Sequence, residues 1–134
     1  MKKKLVKEFV SLERDISAEK GEFSLFALFH REEALYDKWD LVIAAPWIKA
    51  ERMENRRYFV DQLKARLGPK EMMTISRIAL INNDDLRLED IYEDVEVEHG
   101  IVEVVFRTFF DMDIKHAYII TSKRENALAN TAMT

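Results

Sequence analysis

Residues 22–30 restrict the fold of this chain most, because they are apolar on both sides of an extended backbone. They read Glu-Phe-Ser-Leu-Phe-Ala-Leu-Phe-His. Side chains of a strand alternate between its two faces. One face carries Phe23, Leu25, Ala27 and Phe29. The other carries Phe26 and Leu28. A strand of this kind belongs in the covered centre of a sheet. Residues 40–45 predict a second buried strand, which Pro46 ends because proline has no N–H.

Two segments have the periodicity of amphipathic helices. The first ends near Lys20, since Gly21 suits the position after a helix. Its apolar stripe consists of Leu5, Phe9, Leu12 and Ile16. The second covers residues 48–67 and ends at Gly68-Pro69. Its stripe consists of Met53, Val60, Leu63 and Leu67, with Phe59 beside it.

The remaining elements are mainly strands. Residues 72–81, 101–110 and 115–121 are apolar or β-branched, with a turn at 111–113 pairing the last two as a hairpin. Residues 86–93 indicate a short helix or turn. The long helix between the second and third strands makes those two strands parallel if they share a sheet. The sequence therefore predicts an α+β fold: a mixed, mainly antiparallel sheet of about five strands, with two long helices on one face.

Length and composition indicate one domain in a reducing compartment. The chain has 134 residues and no cysteine, which suits a single core and excludes disulfides and thiolate chemistry. We assign residues 1–125 to the domain and 126–134 to a frayed polar tail. Charged residues interrupt the sequence after Lys2-Lys3-Lys4, so we expect neither a secretory signal nor a membrane span. The expected location is the cytoplasm.

Several strands are apolar on both faces, but only two long helices are predicted. Either the sheet curls around its own core or its second face meets another subunit. Phe106, Phe109 and Phe110 bear on this choice, because consecutive residues of a strand point to opposite faces. These three are the candidate interface of a homo-oligomer or of a complex with a protein partner.

A candidate pocket lies at the carboxyl ends of the predicted parallel strands, where ligands gather in α/β units. Trp47 offers an apolar wall, Asn82 offers hydrogen bonds, and Asp84 or Asp85 offers a base or a metal ligand. The alternative is a capped turn beside a core tryptophan. Arg56 lies within the stripe of the second helix, so it either enters this pocket or pairs with a carboxylate at the edge of the core.

The sequence offers only a weak metal site and no cofactor motif. Asp111, Asp113 and His116 bring together two carboxylates and an imidazole near one hairpin. Their spacing does not match a calcium loop, and three ligands from one hairpin need a further partner. Gly-rich phosphate loops and nucleophile elbows are missing. We expect neither a metal nor a cofactor.

These patterns favour a small interaction module over an enzyme, although they do not decide between them. The leading hypothesis is a small cytosolic binding or interaction module that binds another copy of itself, a partner protein or a small molecule, with a sheet face as the interface if it self-associates. One alternative is a small enzyme or ligand site at the carboxyl ends of strands two and three. Another is nucleic-acid binding through the basic second helix, which the net charge of -4 and the interleaved carboxylates disfavour. No membrane partner is expected.

Overall fold

The doubly apolar segment forms the central strand of the sheet. The structure is a computed structural model that describes residues 1–124, so the predicted tail at 126–134 lies outside the described residues. The helices are α1 (Lys3–Lys20), α2 (Met53–Arg66), α3 (Pro69–Met72) and α4 (Leu88–Asp94). The strands are β1 (Leu25–Arg31), β2 (Trp39–Ala44), β3 (Ile75–Leu80), β4 (Val102–Phe109) and β5 (Met112–Ser122).

The five strands form one sheet in the order β3-β2-β1-β5-β4. The β2 and β3 strands are parallel, while the other neighbouring pairs are antiparallel. The parallel pair is the one joined through the long helix α2, as the crossover rule requires. The α+β class and the mixed, mainly antiparallel sheet of five strands are therefore confirmed.

Each face of β1 packs into a separate core. Phe26 and Leu28 lie in a first core that also contains Phe9 of α1 and Phe59 of α2. Both long helices therefore cover the same face. Leu25, Ala27 and Phe29 lie in a second core on the opposite face. This second core also includes Leu88 and Ile91 of α4, Val95, and Phe109 and Ile114 of the last hairpin. The chain thus covers the second face of β1 with its own residues.

The α2 helix is shorter than its sequence pattern indicates. It begins at Met53 rather than Ile48, because residues 46–52 form turns, with backbone bonds from Ile48 to Ala45 and from Arg52 to Lys49. Met53 is largely exposed at the start of the helix. The buried positions of the helix are Phe59 and Leu63, and Leu67 is buried just after its end. The predicted stripe was wrong at Met53, since the helix begins there with its side chain in solvent.

The β4–β5 hairpin turns at Phe110-Asp111, one residue earlier than predicted. Phe109 pairs with Met112, and the two residues between them have φ values of 52° and 61°. Positive φ at both positions defines a type I′ turn, which favours Asn-Gly. Phe109 and Phe110 both lie in the second core. The expectation that they point to opposite faces was wrong, because alternation stops where the turn begins.

Replacing Asp111 by glycine is expected to stabilise the fold. Glycine adopts positive φ without the steric cost that a Cβ imposes, so the free energy of unfolding should rise by about 0.5–1 kcal/mol in urea denaturation. Asp113 in β5 is the control, because glycine inside a strand costs about 0.5–1 kcal/mol. A fall in stability for Asp111→Gly would contradict the assignment of this turn.

Candidate functional site

The two edges of the sheet differ in how they are protected. On β3, the guanidinium of Arg56 from α2 donates to the carbonyl oxygen of Ile78. On β4, the contact is local, because Arg107 of the same strand donates from Nη1 to the carbonyl oxygen of Val105 at 2.7 Å. Within residues 1–124, we find no bond from a loop or a helix to the outer backbone edge of β4. The first half of β4 therefore presents an open backbone edge.

Apolar side chains are exposed along this open edge. Ile101, Val105 and Phe106 are 46%, 48% and 69% exposed. Natural edge strands are commonly protected by lysine, proline or a short length. Residues 101–105 contain no lysine or proline, and Glu103 is their only charge. We call residues 101–106 the β4 edge, and its apolar exposure is unusual for an edge strand that stays single.

Aromatic side chains of β5 lie beside the β4 edge, and Trp39 of β2 packs against them from the interior of the sheet. Val105 and Glu103 are the strand partners of His116 and Tyr118, so these four side chains share the face on which α1 lies. The His116 ring packs between Trp39 and Tyr118, with centroid distances of 5.3 and 4.7 Å. Its buried Nε2 has no hydrogen-bond partner among the described residues.

The carboxylate of Glu103 lies close to His116 Nε2 but makes no hydrogen bond to it. Glu103 Oε2 lies 3.3 Å from His116 Nε2, within ion-pair range but outside hydrogen-bond geometry. Because hydrogen bonds weaken steeply when they are misaligned, the carboxylate of Glu103 leaves the imidazole Nε2 without an effective hydrogen bond. Burial raises the pKa of Tyr118, and the charges of Glu103 and Asp37 raise it further.

A buried carboxylate fixes the point where the chain enters β4. Glu13 of α1 is fully buried, and its Oε1 lies 2.5 Å from His99 Nδ1. The Thr121 hydroxyl donates to its other oxygen and accepts from the backbone N–H of His99 at 3.1 Å. His99 has a φ of 52°. These bonds hold a sparsely populated backbone conformation two residues before Ile101.

A second positive φ occurs inside β4, at Phe106, also at 52°. The β4–β5 pairing skips Phe106 and the opposite residue, Lys115. On the other side of β5, the register with β1 shifts between His30 and Arg31. The outer edge of the sheet is therefore irregular at the residue that exposes its largest apolar side chain. Such irregularities are over-represented at sheet edges and next to active sites.

The structure brings part of the predicted pocket together. Asn82 and Asp84 line a cleft of about 550 Å³ at the carboxyl ends of β2 and β3. Trp47, Arg56 and Asp85 do not line it. Trp47 instead donates its indole N–H to the carbonyl oxygen of Gly21 at 3.0 Å. Gly21 has a φ of 126°, and a Cβ there would come within 3.0 Å of the Trp47 ring.

The other predicted pocket residues make local contacts. Asp85 forms an ion pair with Arg87 at 2.8 Å. The hydrogen bond from Arg87 lowers the pKa of Asp85. Arg56 binds the backbone of β3 and lines a separate cleft along α2. Neither alternative for Arg56 describes its contact, which is with a backbone carbonyl oxygen rather than with a pocket ligand or a carboxylate. The pocket prediction stays a prediction for Asn82 and Asp84.

The weak metal candidates do not converge. Asp111 and Asp113 line a cleft with Glu32 and Glu33, whereas His116 lies on the other face of the sheet against Trp39. Among residues 1–124, no three metal-binding side chains are grouped to hold an ion. The candidate interface is also divided, because Phe109 and Phe110 are buried and Phe106 is exposed.

Cations on α2 are partly engaged by the protein itself. Arg66 binds Asp15 of α1 and lies 3.7 Å from Glu8. Arg52, which directly precedes the helix, lies 3.4 Å from Glu54. The helix therefore presents an interrupted basic surface. Among the described residues, no helix is long and apolar enough to cross a membrane.

Two buried carboxylates were missed at the level of sequence. Glu13 falls within the apolar stripe of α1, four residues after Phe9, and this position could have identified it. Asp40 opens the second buried strand, where a charge also needs a partner. Its Oδ2 accepts from Arg31 at 2.8 Å and lies 3.1 Å from Arg77 Nε. Neither arginine carries a sequence signal for this pairing.

Comparisons with known proteins give no relatives: no family model, no curated protein and no solved structure matches this chain. A functional hypothesis for the protein therefore rests on the arrangement of its own residues.

Glu13→Ala is expected to lower the free energy of unfolding by about 2–4 kcal/mol, because removing one member of a buried pair leaves Thr121 and His99 without their acceptor. Glu8→Ala on the same helix is the control, since an exposed pair contributes less than about 1 kcal/mol. Urea denaturation measures both. Equal, small losses would show that Glu13 does not anchor the entry to β4.

Stability is expected to fall in alkaline solution. The raised pKa of Tyr118 means that the folded state holds this proton more tightly than the unfolded state, where tyrosine ionises near pH 10. The resulting contribution to the free energy of unfolding is fully present below about pH 10 and is lost as the pH rises through the pKa of the folded state. Burial also raises the pKa of Tyr58, so Tyr118→Phe should reduce the alkaline slope without abolishing it. An unchanged slope in urea unfolding would contradict this.

Proposed function

We propose that the protein is an interaction module that self-associates through the β4 edge. The observation that supports this most directly is the combination of an open backbone with exposed Ile101, Val105 and Phe106. An exposed, apolar edge strand is a template for pairing with another strand. A second copy of the same strand, arranged antiparallel about a two-fold axis, extends the sheet to ten strands.

The expected association is modest in strength. Each apolar side chain that becomes buried contributes at most about 1.5–3 kcal/mol, and each new backbone hydrogen bond contributes about 0.5–1.5 kcal/mol. The loss of translational and rotational freedom on association opposes these gains by about 4 kcal/mol or more. We expect a dissociation constant in the micromolar range, so the oligomeric state should depend on concentration.

Charge favours an antiparallel partner. The only charge in the first half of the β4 edge is the carboxylate of Glu103, because Arg107 beyond its end is paired with Asp94 at 2.8 Å. A parallel in-register copy places the two Glu103 carboxylates directly opposite each other, whereas an antiparallel copy does so in one register only. Like charges placed directly opposite each other are destabilising. The register that pairs Glu103 with its own copy is therefore disfavoured.

Val105→Lys is expected to give a monomer, because a lysine on an edge strand opposes pairing. Light scattering during size-exclusion chromatography, over a range of about 1 µM to 1 mM, measures the mass. Leu86→Lys is the matched control, since Leu86 is a largely exposed leucine away from β4. A wild-type protein that stays monomeric at the highest concentration, or equal effects of the two substitutions, would reject the proposal.

Cysteine scanning tests the geometry of the same complex. The chain contains no cysteine, so single substitutions at positions 101–105 report only on the complex. Antiparallel pairing about a two-fold axis should give one maximum of disulfide formation, at a position other than Glu103. A parallel in-register pair would instead cross-link at every position of one face. A dimer without cross-links anywhere on the β4 edge would place the interface elsewhere.

A further inference from the structure

The cleft at the carboxyl ends of β2 and β3 has features of a ligand site separate from the β4 edge. The loop after β2 forms one wall and the loop after β3 forms the other. Its polar lining consists of Lys49, Glu51, Asn82, Asn83 and Asp84. Open sheets with parallel strands bind ligands at this end, because polar loops from neighbouring strands meet there.

The amides of the cleft are fixed in orientation. Asn82 Oδ1 accepts the backbone N–H of Ala50 at 3.0 Å, and Asn83 Oδ1 accepts the hydroxyl of Ser24 at 2.6 Å. Since an N–H can only donate, the first bond assigns the oxygen of Asn82 and leaves its amide NH₂ as donor. Asn82 thus ties the two loops together and keeps two donor hydrogens for another group.

The charged groups of the cleft have no ion-pair partners within the described residues. Lys49, Glu51 and Asp84 take part in no salt bridge there. The cleft at the end of β5 differs, because Lys123 is held by Glu22 at 2.8 Å and by Glu98. Arg124 in that cleft is bound to Glu89 at 2.7 Å. Its cations are neutralised, whereas both signs of charge remain available beside Asn82.

We propose that this cleft binds a small zwitterion of the α-amino acid class. Lys49 and the amide of Asn82 provide donors for a carboxylate. Asp84 and Glu51 provide acceptors for an ammonium group. Charge-assisted bonds of this kind are stronger than neutral ones, and the volume of about 550 Å³ accommodates a free amino acid with its side chain.

Heteronuclear NMR titration of the wild-type protein tests the proposal. The probes are the standard L-amino acids, together with propylamine and propionate, which each carry one half of the zwitterion. At least one amino acid should give saturable shifts at residues 49–51 and 82–84, and it should bind about tenfold more tightly than either half. Absence of saturable shifts, or equal binding of propylamine, would overturn the proposal.

Two conservative substitutions assign the roles. Asn82→Asp keeps the acceptor for Ala50 but removes both amide donors, so carboxylate recognition should weaken about tenfold. Asp84→Asn should weaken ammonium recognition by a similar factor. Asp90→Asn, at an exposed position on α4, is the control and should leave affinity unchanged. Equal affinities for all three variants would overturn the assignment, whatever the oligomeric state of the protein.

Discussion

Burial of β1 on both faces is the constraint on which the remaining structure depends. Phe26 and Leu28 need cover on one side of the sheet, and Leu25, Ala27 and Phe29 need it on the other. Two long helices supply the first cover. The second cover is assembled from α4, the segment after that helix and the distal half of the last hairpin. These short pieces suffice for the inner strands and leave the outer strand partly exposed.

The apolar periodicity predicted β1, β2 and α1 because the apolar side chains of these elements are buried almost without exception. Phe9, Leu12 and Ile16 repeat along α1 without interruption and are all buried. The start of α2 was less predictable, since its buried face rests on Phe59 and Leu63 and the preceding residues bond within their own turns. A weak stripe does not distinguish a helix from a series of turns, so Met53 was misplaced.

Polar contacts between distant segments were beyond the sequence. Glu13 is separated by 86 residues from His99 and by 108 residues from Thr121, and no local pattern predicts such partners. The position of Glu13 on an apolar stripe shows that some partner is required, but not which one.

The order of the strands was also beyond the sequence. The hairpin of β4 and β5 was predictable, whereas the outermost position of β4 follows only from how β5 pairs with β1. The cleft residues Asn82 and Asp84 were identifiable from the prediction that β2 and β3 are parallel. Trp47 does not line the cleft and instead donates its indole N–H to the carbonyl oxygen of Gly21.

The irregularity at Phe106 and Lys115 divides the last hairpin into two halves with opposite phase. Before it, Val104 faces the second core and Val105 faces the side of α1; after it, Phe109 and Ile114 face the second core. A regular strand would have put Phe109 on the side of α1. Insertion or loss of one residue in either strand would exchange the inner and outer faces of everything beyond it. The two strands can therefore change in length only together, which makes this hairpin far less tolerant of insertions than the loops at the other end of the sheet.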